Sequence, residues 1–291
     1  MRRKSSKKIS IASLLLLLVI AFFYFIRNNQ ENKSYALDND KNILAVHYID
    51  VGQGDATFIE LPNKETMLID AGEKSYGDTV TNYINNLGYE EIDYLVGTHP
   101  HTDHIGGLEK VIDSFKIENI YMPRVTSNTK TYLSLLEKID SKNLTITTAK
   151  KGIEIISEDN LKIEILSPVK DEYKDLNNYS VVIKVTYDEA SFLFMGDAQV
   201  EVENEILDTA SAQVIKIGHH GSSTSSSKSF VNKVKPKYAI IEVGINNNYN
   251  HPNSDVVKRW ENIGAIIYRT DLNGNIIAKS DGKNIVIEKE K

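Results

Sequence analysis

The sequence predicts an α/β fold, a four-layer α/β/β/α sandwich in which two facing sheets each carry helices on their outer side. Three observations predict it. Each half of residues 44–291 alternates short apolar strand runs with amphipathic helical stretches. No linker-like or repeated segment interrupts those residues, so they read as one domain. Lastly, the polar residues fit for chemistry follow directly on apolar strand runs, where α/β folds place their sites.

In chain order, residues 44–51 and 56–61 read as strands, joined by Gly52-Gln53-Gly54-Asp55 as a plain hairpin connection. Residues 66–69 form a third strand that ends in Asp70-Ala71-Gly72. A helix over 78–87 stops at Gly88, a usual C-terminal glycine. The run 94–97 is a buried strand, and Ile105, Leu108, Val111, Ile112 and Phe115 carry helical spacing over 105–115. A further amphipathic helix covers 129–141, with Leu133, Leu136 and Ile139 on one side. Strands follow at 153–156, 161–166, 181–187 and 191–194, then a helix over 199–207 and a strand over 213–217. Residues 222–229 are a serine-rich loop, 238–243 a strand, and 254–263 a helix capped by Ser254.

Of 291 residues, 41% are hydrophobic and 25% charged, ordinary values for a chain with a full core. There is no cysteine, which excludes disulfides and thiolate metal ligands, so any metal is held by nitrogen and oxygen. The N-terminus is the outlier. Arg2, Arg3, Lys4, Lys7 and Lys8 precede an uncharged apolar run, residues 9–26. A basic flank of this kind keeps the N-terminus inside and sends the remainder out. The run is long for a signal-peptide core and just sufficient for a membrane span, so an anchor is favoured. Cleavage after Ser34-Tyr35-Ala36, giving a secreted form, is the alternative. The expected organisation is a basic flank and anchor over 1–27, a polar linker over 28–43 and a catalytic domain over 44–291. Without its first 36 residues the chain carries a net charge of −12, a poor basis for gripping a long polyanion.

The stretch Thr98-His99-Pro100-His101-Thr102-Asp103-His104-Ile105-Gly106-Gly107 puts three imidazoles and a carboxylate into six residues. Pro100 holds His99 extended. His99 and His101, two apart in extended chain, face one way and can share a metal. Asp103 and His104 come where the chain turns into the helix and can face elsewhere, which suits two adjacent metals. Asp197 follows an apolar strand in Met195-Gly196-Asp197; a carboxylate there can bridge two metals with its two oxygens. His219-His220-Gly221-Ser222 follows another strand and offers one or two more imidazoles. His251 opens the loop before the last helix, while His47 sits within a strand and reads as structural.

Together these pieces resemble the metallo-β-lactamase superfamily over essentially residues 44–291. The resemblance rests on His99-x-His101-x-Asp103-His104, with Ile69-Asp70-Ala71-Gly72, Gly196-Asp197 and His219-His220 in support. The stretches Ile49-Asp50-Val51-Gly52-Gln53-Gly54-Asp55-Ala56 and His219-His220-Gly221-Ser222 look like the branch that contains the soluble hydrolase domain of ComEC competence proteins. The resemblance implies the metallo-β-lactamase fold, here with an N-terminal membrane anchor helix, and a site for two divalent metal ions, zinc or alternatively manganese. His99 and His101 would hold one metal, Asp103 and His104 the other, with Asp197 between them. His219 or His220 would complete the second site. In many members a further histidine completes metal one; here no histidine lies between His104 and His219. Its place falls near Asn177-Asn178-Tyr179-Ser180, which makes Asn178 and Ser180 accessory candidates. An open position on metal one is what a catalytic site needs.

The implied activity is metal-assisted hydrolysis of a phosphodiester, with DNA as the substrate the resemblance suggests and Asp103 among the catalytic residues. His251, Ser222 and Lys216 are candidates to hold the substrate's non-bridging oxygens or to protonate the leaving group. Competing readings are a hydrolase of cell-wall phosphoesters or lactones, and a non-catalytic binding module on this fold.

Overall fold

The computed structural model describes Leu37 and residues 42–291. The predicted anchor, linker and cleavage site lie almost wholly outside the described residues. Among the described residues no helix is long and apolar enough to cross a membrane.

Two sheets form the centre. One has eight strands in the order β15 (Ile285–Lys289), β14 (Ile276–Ser280), β1 (Leu44–Tyr48), β2 (Thr57–Glu60), β3 (Thr66–Ile69), β4 (Glu91–Val96), β5 (Lys116–Pro123), β6 (Ile146–Ala149). The other has seven in the order β13 (Ile266–Arg269), β12 (Tyr238–Ile241), β11 (Val214–Lys216), β10 (Ala190–Phe194), β9 (Val182–Tyr187), β8 (Leu161–Ser167), β7 (Glu154–Ser157). The strands that matter for the site are β3 (Thr66–Ile69), β4 (Glu91–Val96), β10 (Ala190–Phe194), β11 (Val214–Lys216) and β12 (Tyr238–Ile241). In the first sheet β3, β4 and β5 (Lys116–Pro123) run parallel; in the second β10, β11 and β12 do. Parallel strands covered on both faces are largely apolar, as β3, β10, β11 and β12 are, whereas β4 and β5 carry partly or fully exposed charged residues. All the residues of β3, β11 and β12 are buried.

Three apolar layers hold the sandwich together. Val46, Ile59, Ile163, Phe192 and Ile240 pack between the sheets. Leu68, Leu95, Val80, Ile112 and Leu135 join the first sheet to helices α1 (Gly77–Asn86), α3 (Leu108–Ser114) and α4 (Lys130–Ser141). Ile215, Ile241, Val202, Phe230 and Trp260 join the second sheet to α5 (Val200–Ile206), α6 (Lys228–Val234) and α7 (Ser254–Asn262). Each such fully buried aliphatic side chain contributes about 1.5–3 kcal/mol. The predicted four layers are therefore present.

Several details differ from the sequence reading. The predicted helix over 105–115 is two pieces, α2 (Thr102–Ile105) and α3, with Gly106-Gly107 between them. A Cβ on Gly107 would stand 2.2 Å from the Ala71 carbonyl oxygen, so only glycine lets the two segments meet. In α4 the buried face is Tyr132, Leu135 and Ile139, whereas Leu133 is 47% exposed. The cap of α7 is Asn253, whose side chain accepts from the Asp255 amide; Ser254 is already helical. Strand β5 went unread because Glu118-Asn119 breaks its alternation of buried Ile117, Ile120 and Met122. Helix α6 was hidden by its serine-rich approach, although Ser227 caps it by accepting from the Phe230 amide. His47 is buried in β1 (Leu44–Tyr48) and bonded to Tyr83 and Glu60, as a structural histidine is.

Candidate metal centre

Five parallel strands deliver the site from their C-terminal ends. Asp70 follows β3, Thr98 and His99 follow β4, and Asp197 follows β10. His219 and His220 follow β11, and Glu242 follows β12. This is where open parallel sheets bind ligands, and here both sheets contribute to one pocket. The pocket has a volume of about 380 Å³ and is lined by His101, Asp103, Asp197, His219, His220 and His251 among others.

Two donor groups share Asp197. In the first, Asp103, His104, Asp197 and His220 converge. His104 Nε2 lies 3.2 Å from Asp197 Oδ1, and His220 Nε2 lies 3.5 Å from the same oxygen and 3.4 Å from Asp103 Oδ2. In the second, His99, His101 and Asp197 converge. His99 Nε2 lies 3.0 Å from His101 Nδ1 and 3.8 Å from Asp197 Oδ2. The two oxygens of one carboxylate thus face two sets of imidazoles.

The donor set fits divalent cations. His104 Nε2, His220 Nε2 and Asp197 Oδ1 are buried and have no hydrogen-bond partner among the described residues. Three orphaned polar atoms meeting at one point would be costly in an empty interior, and a cation satisfies all of them. A third group of His and Asp, Asp55, Asp70 and His104, adjoins the first.

The charges agree. Burial alone would raise the Asp197 carboxyl; His220 and His104 more than reverse this and hold it well below the ordinary range. Burial would lower His104, but Asp197, Asp55 and Asp70 drive it well above its usual value. By the same balance, with Asp197 and Asp55 outweighing burial, His220 is pushed up to about 10. Four carboxylates, Asp55, Asp70, Asp103 and Asp197, therefore impose a strongly negative potential that calls for positive charge at this spot.

Asp70 sets the orientation of the imidazoles. It accepts from His104 Nδ1 at 2.7 Å, which leaves His104 Nε2 for the pocket. It also accepts from the Thr98 amide and hydroxyl, at 2.8 and 2.6 Å. The Thr98 oxygen can then accept from His99 Nδ1, 3.1 Å away, which turns His99 Nε2 toward His101 and Asp197. One buried carboxylate thereby fixes a histidine in each donor group, the usual device behind metal-binding imidazoles.

The two consecutive histidines part company. Both have left-handed backbone, φ 52° at His219 and 50° at His220, a strained turn that sends the side chains to different places. His220 is 1% exposed; its Nδ1 donates to the Glu242 carbonyl at 2.9 Å and its Nε2 joins the first group. His219 sits at the rim, with Nδ1 3.0 Å from Thr224 Oγ1 and Nε2 3.6 Å from Asp197 Oδ2.

Other residues singled out in the sequence fall as follows. Ser180 Oγ accepts from the Asp197 amide at 3.0 Å and lies 3.5 Å from His99 Nδ1, so it positions both. Asn178 is turned away, its Oδ1 accepting from the Gln199 amide and its Nδ2 donating to Glu201. Its neighbour Asn177 lines the pocket instead, with a buried Oδ1 that has no partner among the described residues. His251 lines the pocket too, its pKa pulled down to about 4 by burial and the positive charge of His220 and His219.

Two expectations are corrected. Lys216 does not line the pocket: it is 2% exposed, ion-paired with Asp55 and donating to the Gly196 carbonyl. Ser222 does not line the pocket either; it is buried in its own turn, where its oxygen accepts from the Thr224 amide and hydroxyl.

The Gly52-Gln53-Gly54-Asp55 turn, read as a mere connection, belongs to the site. Asp55 lies 3.3 Å from His220 Nδ1 and 3.7 Å from His104 Nδ1. Gly54 is why the turn can come so close: with φ at 141°, a Cβ there would stand 2.2 Å from the Asp103 carbonyl oxygen. Two glycines within the three residues before a carboxylate were the available sign of a close backbone approach.

The sequence profile of the Metallo-beta-lactamase superfamily matches residues 49–244. ComE operon protein 3 of Bacillus subtilis strain 168 is 30% identical over 251 residues, covering 79% of this chain and 32% of that protein. Competence protein ComA of Neisseria gonorrhoeae is 30% identical over 246 residues, covering 80% of this chain and 32% of that protein. The chain spans about a third of the length of these curated relatives. Among solved structures, CmlA, a diiron β-hydroxylase from Streptomyces venezuelae, superposes with a TM-score of 0.54 at 13% identity, covering 85% of this chain and 54% of that one. That likeness concerns the fold alone.

Proposed function

The chain belongs to the metallo-β-lactamase superfamily, in a branch with competence proteins, as a metal-dependent hydrolase, and from that premise we propose that it cleaves phosphodiesters in nucleic acid. The observation that carries the reading is the meeting of buried, unpartnered His104 Nε2, His220 Nε2 and Asp197 Oδ1 on one side of Asp197, with His99 and His101 on the other. His104, His220, Asp103 and Asp197 would hold one cation, and His99, His101 and Asp197 a second. With only nitrogen and oxygen donors, zinc is the first choice and manganese the alternative. When bound, such a pair supplies Lewis acidity and a nucleophile at neutral pH.

The chain's own residues do the rest. Asp70 keeps the Nε2 atoms of His99 and His104 toward the pocket, and Asp55 with Lys216 braces the histidines from behind. Asn177 and His251 line the pocket outside the donor set and are assigned to the substrate's non-bridging oxygens, to which an amide and a neutral imidazole can donate. The competence names of the relatives support DNA as the polymer, and the basic flank before residues 9–26 supports a domain held outside the membrane.

The test is hydrolysis by the full-length protein, loaded with zinc or manganese, of linear single-stranded DNA, bis-p-nitrophenyl phosphate and nitrocefin. Metal-dependent cleavage of the first two, stopped by a chelator, is expected, with nitrocefin untouched. Cleavage of nitrocefin alone, or phosphodiester cleavage indifferent to the chelator, would overturn the assignment. For location, protease added to intact cells should digest the domain; a domain protected until lysis would place it inside.

A further inference from the structure

One aromatic ring at the pocket's rim is displayed rather than packed. Tyr249 is 67% exposed and lines the same pocket as His101, Asp103, Asp197 and His220. The ring of His251 lies behind it, 25° from parallel with centroids 5.8 Å apart.

The display is built into the loop. Asn247 Oδ1 accepts from the Tyr249 and His251 amides at 3.1 and 3.0 Å. Its Nδ2 donates to the Gly244 and His251 carbonyls at 2.9 and 2.6 Å. Asn246 and Asn250, at φ 54° and 56°, adopt the left-handed turns that asparagine tolerates. At the loop's base the Gly244 amide donates to Gln53 Oε1 at 3.2 Å, which ties the loop to the turn bearing Asp55. Tyr249 is thus held by the backbone around it, and its ring is left facing outward.

We propose that Tyr249, backed by His251, is the stacking platform for the base adjoining the scissile phosphate, so that the substrate is single-stranded nucleic acid. This rests on the phosphodiesterase reading above. Any base presents a π-face to such a ring, whereas in a duplex both faces are covered by neighbours. A base-free wall phosphodiester has nothing to place there. Residues 37–291 carry a net −12, which opposes nonspecific attraction to phosphates, so affinity for a nucleic acid has to come from contacts of this stacking kind.

The test compares full-length, metal-loaded wild-type protein with Tyr249→Ala and Tyr249→Trp. The probes are a fluorescently labelled oligothymidylate and the same oligomer built from abasic units. Wild type should prefer the base-bearing oligomer in kcat/KM and in anisotropy-measured affinity. Tyr249→Ala should shrink that preference about tenfold, chiefly through KM, and Tyr249→Trp should restore it. Equal affinity of wild type for the two oligomers, or a preference unchanged in Tyr249→Ala, would overturn the proposal. Base-dependent binding that Tyr249→Ala abolishes, without cleavage of either oligomer by wild type, would support the platform and instead refute the hydrolase it was built upon.

Discussion

Asp197→Asn should abolish phosphodiester hydrolysis, a loss on the order of a thousandfold or about 4 kcal/mol of barrier, while the protein stays folded. Its Oδ1 faces His104 and His220 and its Oδ2 faces His99 and His219, so both donor groups depend on one carboxylate. An amide keeps the shape and offers one oxygen, without charge. The backbone does not depend on the acid, because the Asp197 amide donates to Ser180 Oγ whichever side chain is present. If Asp197 were only a turn residue after β10, asparagine would serve nearly as well. Kinetics and circular dichroism on the same preparation separate the two cases. Wild-type turnover in Asp197→Asn would refute the shared-carboxylate site.

The second large effect separates the paired histidines. His220→Ala should lose about one metal equivalent and on the order of a hundredfold or more in activity, since it removes one of four converging donors. His219→Ala should keep both equivalents, because His219 lies at the rim and outside either convergent group. Metal content by plasma mass spectrometry, read beside kcat, decides between them. Metal loss in His219→Ala with none in His220→Ala would reverse the roles.

Much of this site could be read from the chain because its donors are polar residues placed directly after apolar strand runs. The His99–His104 cluster, Asp197 and the His219-His220 pair all announce themselves in that way. Which of His219 and His220 turns inward could not be read, since two successive left-handed residues decide it and neither is glycine. Lys216 stands in an apolar strand, and nothing in its neighbours reveals that Asp55, 161 positions away in sequence, neutralises it within the core. Asp55 was missed for the same reason: its role depends on a contact across the fold. The strand over 116–123 lacked alternation, and the face of α4 was misjudged because Tyr132, a half-polar residue, takes the buried place given to Leu133.

The central claim is that two cations sit on either side of Asp197. Its most direct test is the metal content of the full-length protein, purified without chelator and dialysed against zinc or manganese. About two tightly held equivalents per chain are expected. A folded protein that retains none would contradict the account.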